Sequence, residues 1–120
     1  MEVVKIYKCL CDEQRLRILN LLQEGPLCVC HIMEVLDADQ VKISKQLRYM
    51  KEQGMVECER KAQWMIYRLA DADNPLLLDN LKCLQDSAGE SLRFEVDLAK
   101  RAEVVKRFCE TSPDYMDQIS

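Results

Sequence analysis

The chain has 120 residues, a net charge of −4 and a composition that is 48% hydrophobic and 32% charged. This length suits one domain with one core, and this composition is typical of a folded soluble protein rather than a disordered one. Apolar runs are short and the N-terminus lacks a secretion signal, so we expect a cytoplasmic protein with no membrane partner.

The first part of the chain predicts two helices. Apolar residues recur at roughly helical spacing over 2–10, and Asp12 is a suitable N-cap for a second helix. Gly25-Pro26 ends that second helix. Its 3.6-residue apolar period is carried by Leu16, Ile18, Leu19, Leu21 and Leu22.

A second pair of helices follows, separated by a tight turn. A short helix is predicted over 28–36, the turn covers 37–39, and Asp39 can cap another helix over about 40–53. Gly54 ends this last helix. The residues that we expect to point inward from it are Val41, Ile43, Leu47 and Met50.

Strand character replaces helical periodicity after residue 54. Residues 55–60 and 64–69 favour two strands, and Lys61-Ala62-Gln63 joins them as a hairpin. Two short helices with a tight turn, followed by a basic helix and a basic hairpin, indicate a winged helix-turn-helix. The predicted fold class is therefore mainly α with a β-hairpin.

The remaining residues predict terminal helices and a tail. Helices are expected at about 75–86 and 90–109, with a possible interruption near 87–89. We therefore expect one domain over 1–110 and a flexible tail over 111–120.

Charge is distributed unevenly along the chain. Residues 40–68 contain seven basic and three acidic side chains, so this segment carries +4 and the remainder carries about −8. A basic middle with acidic flanks favours a local anion-binding surface such as one for DNA, although an ordinary solvated face has the same signature.

The segment PLCVCHI (26–32) contains two of the seven cysteines, Cys28 and Cys30, followed by the only histidine, His31. Clustered cysteines in a reducing compartment indicate metal or redox chemistry, whereas isolated cysteines often serve as small hydrophobes. Residues i and i+2 of an ideal helix point about 200° apart. An ion that takes both sulfurs should therefore loosen the first helical turn.

Four segments together resemble the ArsR/SmtB family of metal-responsive repressors. They are DEQRLRILNLL (12–22), LCVCHI (27–32), QVKISKQLRYMKEQGMV (40–56) and RKAQWMIYRL (60–69). The resemblance implies a winged helix-turn-helix with terminal dimerisation helices. It also implies a homodimer that blocks double-stranded promoter DNA until a toxic ion binds.

The same resemblance makes Cys28 and Cys30 the metal ligands. Arsenite or antimonite, As(III) or Sb(III), is the expected inducer because trivalent arsenic suits thiolate ligands, and Cd(II) or Pb(II) is the alternative. Cys9 and Cys11 are the leading candidates for a third ligand. We expect His31 to be solvated or to face DNA, with a role in a zinc or cadmium site as the less favoured alternative.

The DNA-contacting residues are expected on the basic helix and on the hairpin. Gln46 and Arg48 suit base edges, whereas Lys42, Ser44 and Lys45 suit phosphates. The full candidate set is Gln40, Lys42, Ser44, Lys45, Gln46 and Arg48 on the helix and Arg60, Lys61 and Gln63 on the hairpin.

Other functions remain open at this point. The two cysteines could bond to each other in a thiol-redox or persulfide sensor of the same fold. A winged helix could also act as a protein-interaction module without DNA. An enzyme is not expected, because the chain has no nucleophile–base pair with supporting spacing and no phosphate-binding loop.

Overall fold

The computed structural model describes residues 2–70, 75–85, 90–112 and 114–119. In this part of the chain the elements follow one another as α1 (Glu2–Leu10), α2 (Glu13–Leu22), β1 (Leu27–Cys28), α3 (Val29–Leu36), α4 (Gln40–Glu52), β2 (Val56–Lys61), β3 (Trp64–Leu69), α5 (Pro75–Gln85), α6 (Glu90–Thr111) and α7 (Asp114–Ile119). This order confirms the predicted winged helix-turn-helix with additional terminal helices.

Aspartate side chains fix the starts of two helices. The Asp12 carboxylate accepts a hydrogen bond from the backbone N–H of Arg15 at 3.0 Å, and Asp39 accepts one from the N–H of Lys42 at 2.9 Å. Each bond satisfies an N–H group that has no partner within the helix, which confirms both predicted caps. Gly54, with φ of 75°, follows α4 in the left-handed conformation that its sequence position predicted.

Three antiparallel strands form one small sheet in the order β1–β3–β2. The hairpin of β2 and β3 is the wing, and its turn is closed at Ala62, whose φ is 55°. Strand β1 was not predicted: Leu27 pairs with Tyr67, and Cys28 pairs with Ile66. The cysteine segment is therefore attached directly to the wing.

The core lies between the helices and the inner face of the sheet. Ile18 and Leu19 of α2, Ile43 and Leu47 of α4, and Ile66 of β3 are fully or almost fully buried. The four helical residues among them are predicted inward positions of α2 and α4. Val41 is the exception, since 63% of its surface is exposed and the expectation that it points inward was wrong.

The long helix α6 is fastened to the first half of the chain by two arginines. Arg17 of α2 donates two hydrogen bonds, of 2.8 and 2.9 Å, to the carboxylate of the buried Asp97. Arg101 of α6 donates to the carbonyl oxygens of Gly25 and Pro26, both at 3.2 Å. The second contact holds the segment that leads into β1.

A short helix, α7 (Asp114–Ile119), lies within the range 111–120 for which the sequence predicts a flexible tail. Tyr115 is completely buried, and its hydroxyl oxygen accepts a hydrogen bond of 2.9 Å from the backbone N–H of Cys28. Burial raises the pKa of Tyr115 to about 12, so its hydroxyl is neutral. Burial of this ring and satisfaction of the Cys28 N–H stabilise the position of α7 against β1.

The start of α3 also differs from the sequence analysis. Helix α3 begins at Val29 rather than at residue 28, because Cys28 is extended and belongs to β1. The possible interruption at 87–89 lies outside the described residues.

Within the described ranges, no helix combines the length and the apolar character that crossing a bilayer requires.

The hydrogen bond between α7 and β1 provides a stability test. Tyr115→Phe removes only the hydroxyl and leaves the buried Cys28 N–H without its partner, so it should lower the free energy of unfolding by about 1–3 kcal/mol. Urea denaturation measures this change. Tyr7→Phe is the control, because Tyr7 is about half exposed and should lose less than about 0.5 kcal/mol. Equal stability of Tyr115→Phe and wild type would contradict the assigned contact.

Candidate ion site and DNA-binding surface

The two cysteines lie at the junction of β1 and α3. Cys28 is the N-cap of α3, with φ of −73° and ψ of 148°, and Cys30 is the second residue of the helix. Their Cα atoms are 5.5 Å apart, and their Sγ atoms are in contact and assigned as a disulfide. Because Cys28 precedes the helix, both sulfurs meet without any loosening of a helical turn. The expected conflict between this spacing and helix geometry was therefore wrong.

The two cysteines differ in exposure and in constraint. Cys28 is 1% exposed, pairs with Ile66 of β3, and gives its N–H to Tyr115 of α7. Cys30 is exposed in the first turn of α3. The site therefore has one fixed, buried sulfur and one sulfur that solvent can reach.

His31 completes a group of three potential metal ligands. The ligand atoms of Cys28, Cys30 and His31 all lie within 4.8 Å of one another, the sole such Cys, His or carboxylate trio among the described residues. His31 is 3% exposed, which overturns the expectation of a solvated or DNA-facing side chain. Its Nδ1 is buried without a hydrogen-bond partner, and burial lowers the pKa of the imidazole. A neutral imidazole offers a lone pair to a metal ion.

The expected donors of a third sulfur do not join this group. Cys9 is completely buried, and burial raises the pKa of its thiol to about 11, so it is a protonated, small hydrophobic side chain. Cys11 is exposed just after α1. The ligand trio contains neither of them. Cys58 lies elsewhere, on β2, where its Sγ is 3.2 Å from the Nζ atom of Lys51.

An aromatic cluster surrounds the His31 side of the site. The ring of His31 meets those of Phe108 and Tyr115 edge to face, at 4.5 and 4.7 Å between centroids. Trp64 of β3 meets the Tyr115 ring at 5.4 Å. These contacts join α3, α6, α7 and the wing strand. Sequence reasoning missed Tyr115, because no local pattern marks a contact that spans 87 residues.

The outer face of α4 presents the expected DNA-contacting residues. Those whose side chains are exposed are Gln40, Lys42, Ser44, Lys45 and Arg48 on α4, and Arg60 and Gln63 on the hairpin. Lys61 is partly exposed, with its Nζ atom 4.0 Å from a carboxylate oxygen of Glu59.

Gln46 has a different environment from the other candidates. Its amide nitrogen donates to the carboxylate of Asp12 at 3.1 Å, and its amide oxygen accepts from the guanidinium of Arg15 at 3.2 Å. The side chain thus connects α4 to the start of α2. Reading a base with this amide would require both contacts to be exchanged.

The fold and the basic outer face of α4 define a winged helix-turn-helix of the DNA-binding class. Residues 12–57 match the model of the bacterial regulatory protein arsR family. The "Arsenic resistance transcriptional regulator ArsR2" of Pseudomonas putida is 42% identical over 107 residues, which cover 76% of this chain and 93% of that protein. The chain therefore belongs to the ArsR family of transcriptional regulators, and it is not an enzyme.

Two further comparisons agree with this assignment. The "Arsenic resistance transcriptional regulator ArsR1" of P. putida is 43% identical over 65 residues, which span 53% of this chain but only about half (51%) of that relative. Among solved structures, the homodimeric winged helix-turn-helix DNA-binding domain Mb0332 of Mycobacterium bovis, a possible ArsR-family regulator, is 27% identical. Its TM-score is 0.58, over 70% of this chain and 75% of that one.

The basic face of α4 gives a direct test of DNA binding. Lys45→Ala should weaken binding to any duplex about three- to tenfold and reduce the slope of log affinity against log salt by about 0.9, because one phosphate contact is lost. Fluorescence anisotropy at several salt concentrations measures both quantities. Lys82→Ala, which removes an exposed charge on α5, should change neither. An unchanged salt slope in Lys45→Ala would remove Lys45 from the DNA surface.

Proposed function

We propose that this regulator is a homodimeric repressor that leaves its promoter when a thiophilic ion, foremost As(III) or Sb(III), binds Cys28 and Cys30. The observation that carries this proposal is the contact between the two sulfurs, one buried and one exposed, at the start of α3. The arsenic-resistance names of the relatives support the choice of ion. A regulator of this kind works in the compartment that holds the DNA, so we also propose a cytoplasmic location.

The proposed ligand chemistry requires the reduced pair. Thiolates bind soft ions, and the unpaired N–H groups of the first turn of α3 favour negative charge at that position. Cys30 offers an entry point for the ion because it is exposed, whereas Cys28 offers a fixed second sulfur. The two sulfurs are in contact in the structure, so an ion that takes both must separate them, and the exposed Cys30 moves with the first turn of α3 because Cys28 is fixed.

Helix α3 is connected closely to both elements that are expected to contact DNA, α4 and the wing. Only residues 37–39 separate α3 from α4, and β1 is hydrogen-bonded to the wing strand β3. A displacement of α3 changes the placement of α4 relative to the wing. Two such units in a dimer must match two half-sites of the promoter, so a small change in placement lowers DNA affinity.

The proposed dimer uses the terminal helices. Large apolar side chains that are exposed in the single chain lie on α1 and α6, and a second copy would cover them. They are Val3, Val4 and Tyr7 on α1 and Leu92 and Val96 on α6. The homodimeric state named for the M. bovis domain supports this arrangement.

The third ligand favours a second candidate inducer, Cd(II) or Pb(II). Trivalent arsenic is best satisfied by three sulfurs, whereas a set of two sulfurs and one imidazole also suits divalent ions such as cadmium. We propose that His31 is this third ligand. Its buried Nδ1 without a partner and its place in the ligand trio support this role.

The assigned Cys28–Cys30 disulfide favours one further alternative, a thiol-redox sensor. In that case both thiols lose their protons and two electrons to an oxidant such as a peroxide, and a bond forms between the sulfurs. Mass spectrometry of the oxidised protein distinguishes a thiol-redox sensor from an ion sensor. A mass loss of two hydrogens confined to Cys28 and Cys30, together with release of DNA, would support it.

Each cysteine of the pair can be tested by single substitution. Cys28→Ser and Cys30→Ser should bind promoter DNA within about twofold of wild type, yet arsenite should no longer release it, because one sulfur cannot hold the ion. Anisotropy during an arsenite titration measures release. Cys58→Ser is the control and should respond like wild type, since Cys58 lies outside the ligand trio. Normal release by either variant would refute the assigned ligands.

The role of His31 can be separated from its packing. His31→Phe keeps an aromatic ring against Phe108 and Tyr115 but removes both ring nitrogens. Cadmium affinity should fall at least about tenfold, a typical cost of disturbing a metal site. Competition with a chelator measures this affinity, and thermal unfolding checks that the variant is folded. Unchanged cadmium affinity in the folded variant would exclude His31 as a ligand.

A further inference from the structure

Val41 is an exposed apolar residue in an unexpected place. Six large apolar side chains are exposed in the described part of the chain, and five of them lie on α1 and α6. Val41 is the sixth, with 63% of its surface exposed, and it is the second residue of α4. Neither the core nor the proposed dimer surface accounts for it.

The geometry of α4 places Val41 on the basic face of the helix. Successive residues turn by about 100°, so Val41 lies about 160° from the buried Ile43 around the helix. Residues three, four and seven positions later share its face, and these are Ser44, Lys45 and Arg48. All three side chains are exposed. Val41 is thus the apolar end of an otherwise polar and basic stripe.

The start of this helix is firmly set. Asp39 caps it through the N–H of Lys42, and this bond fixes the turn that carries Val41. In helix-turn-helix proteins the N-terminal residues of the second helix approach the base edges in the major groove. Thymine is the base that presents a methyl group there, and apolar side chains recognise it by contact.

We propose that Val41 reads a thymine methyl group in each half-site of the promoter and is thus a residue that determines sequence specificity. Basic neighbours bring the first turn of α4 to the groove by binding phosphates, and burial of the valine against the methyl adds a preference for one base. The proposal rests on DNA binding by this family and is independent of the inducing ion.

A second protein copy is a poorer occupant of this stripe. An isologous contact would place the same stripe of both copies face to face. Lys45 and Arg48 of one copy would then approach those of the other, and like charges in contact are unfavourable. The polyanionic groove of DNA complements the same charges. Charge complementarity therefore selects DNA as the partner.

The test removes the thymine methyl group from the DNA and leaves the rest of the base unchanged. Binding sites are first selected from random duplexes with the ion-free protein, and each thymine of the selected site is then replaced by deoxyuridine. For wild type, one symmetric pair of thymines should stand out, with a loss of about fourfold per half-site, the value of one buried methyl group.

Variants of Val41 assign that methyl effect to its side chain. Val41→Ser should bind the thymine and deoxyuridine duplexes equally, whereas Val41→Ile, which keeps the apolar contact, should retain the preference. Lys45→Ala should weaken binding to both duplexes equally and keep the ratio between them. Circular dichroism confirms that the exposed substitution leaves the fold intact.

Two results would overturn the proposal. One is a selected site in which no thymine methyl affects the affinity of wild type. The other is a Val41→Ser variant whose loss on deoxyuridine substitution equals that of wild type. Either result would leave the ion-responsive function unaffected, because that function is read from release by arsenite.

Discussion

Cys28 is held on two sides, and the geometry of the candidate site depends on this constraint. On one side its backbone pairs with Ile66 of the wing, and on the other its N–H is bonded to Tyr115. A strand of two residues would otherwise be an exposed edge with an unpaired N–H group. Because Cys28 is fixed, the exposed Cys30 and the first turn of α3 are the parts that can respond to a ligand.

Under the proposed function, the elements packed around the cysteine pair would connect ion binding to DNA binding. The buried rings of His31, Trp64 and Tyr115 and the partly buried ring of Phe108 join α3 to β3, α6 and α7. Helix α6 also carries part of the apolar surface proposed for the dimer. An ion at the cysteine pair would therefore act on the wing, the helix-turn-helix and the dimer contacts from one position.

Local signals in the sequence were sufficient for most of the fold. Asp12 and Asp39 are caps whose bonds reach only three residues ahead, and the apolar period of α2 is visible in any short window. The hairpin follows from adjacent β-forming segments. Each of these features depends on neighbours in the chain, and such features are the ones that a sequence pattern records.

The parts of the site that were not predicted depend on distant contacts. The burial of His31 results from rings on α6 and α7, and the pairing of Cys28 results from β3 and Tyr115. Val41 was assigned to the core because valine is apolar, although its position on the helix places it on the outer face. Hydrophobicity alone does not distinguish a buried side chain from an exposed one.

X-ray absorption of the arsenite-loaded protein tests the central claim most directly, because it counts the sulfur atoms bound to the ion. The account predicts two sulfur neighbours in wild type, supplied by Cys28 and Cys30, and no sulfur-bound arsenic in either serine variant. A sulfur count that is the same in wild type and in Cys28→Ser would show that the ion is held elsewhere and would contradict the account.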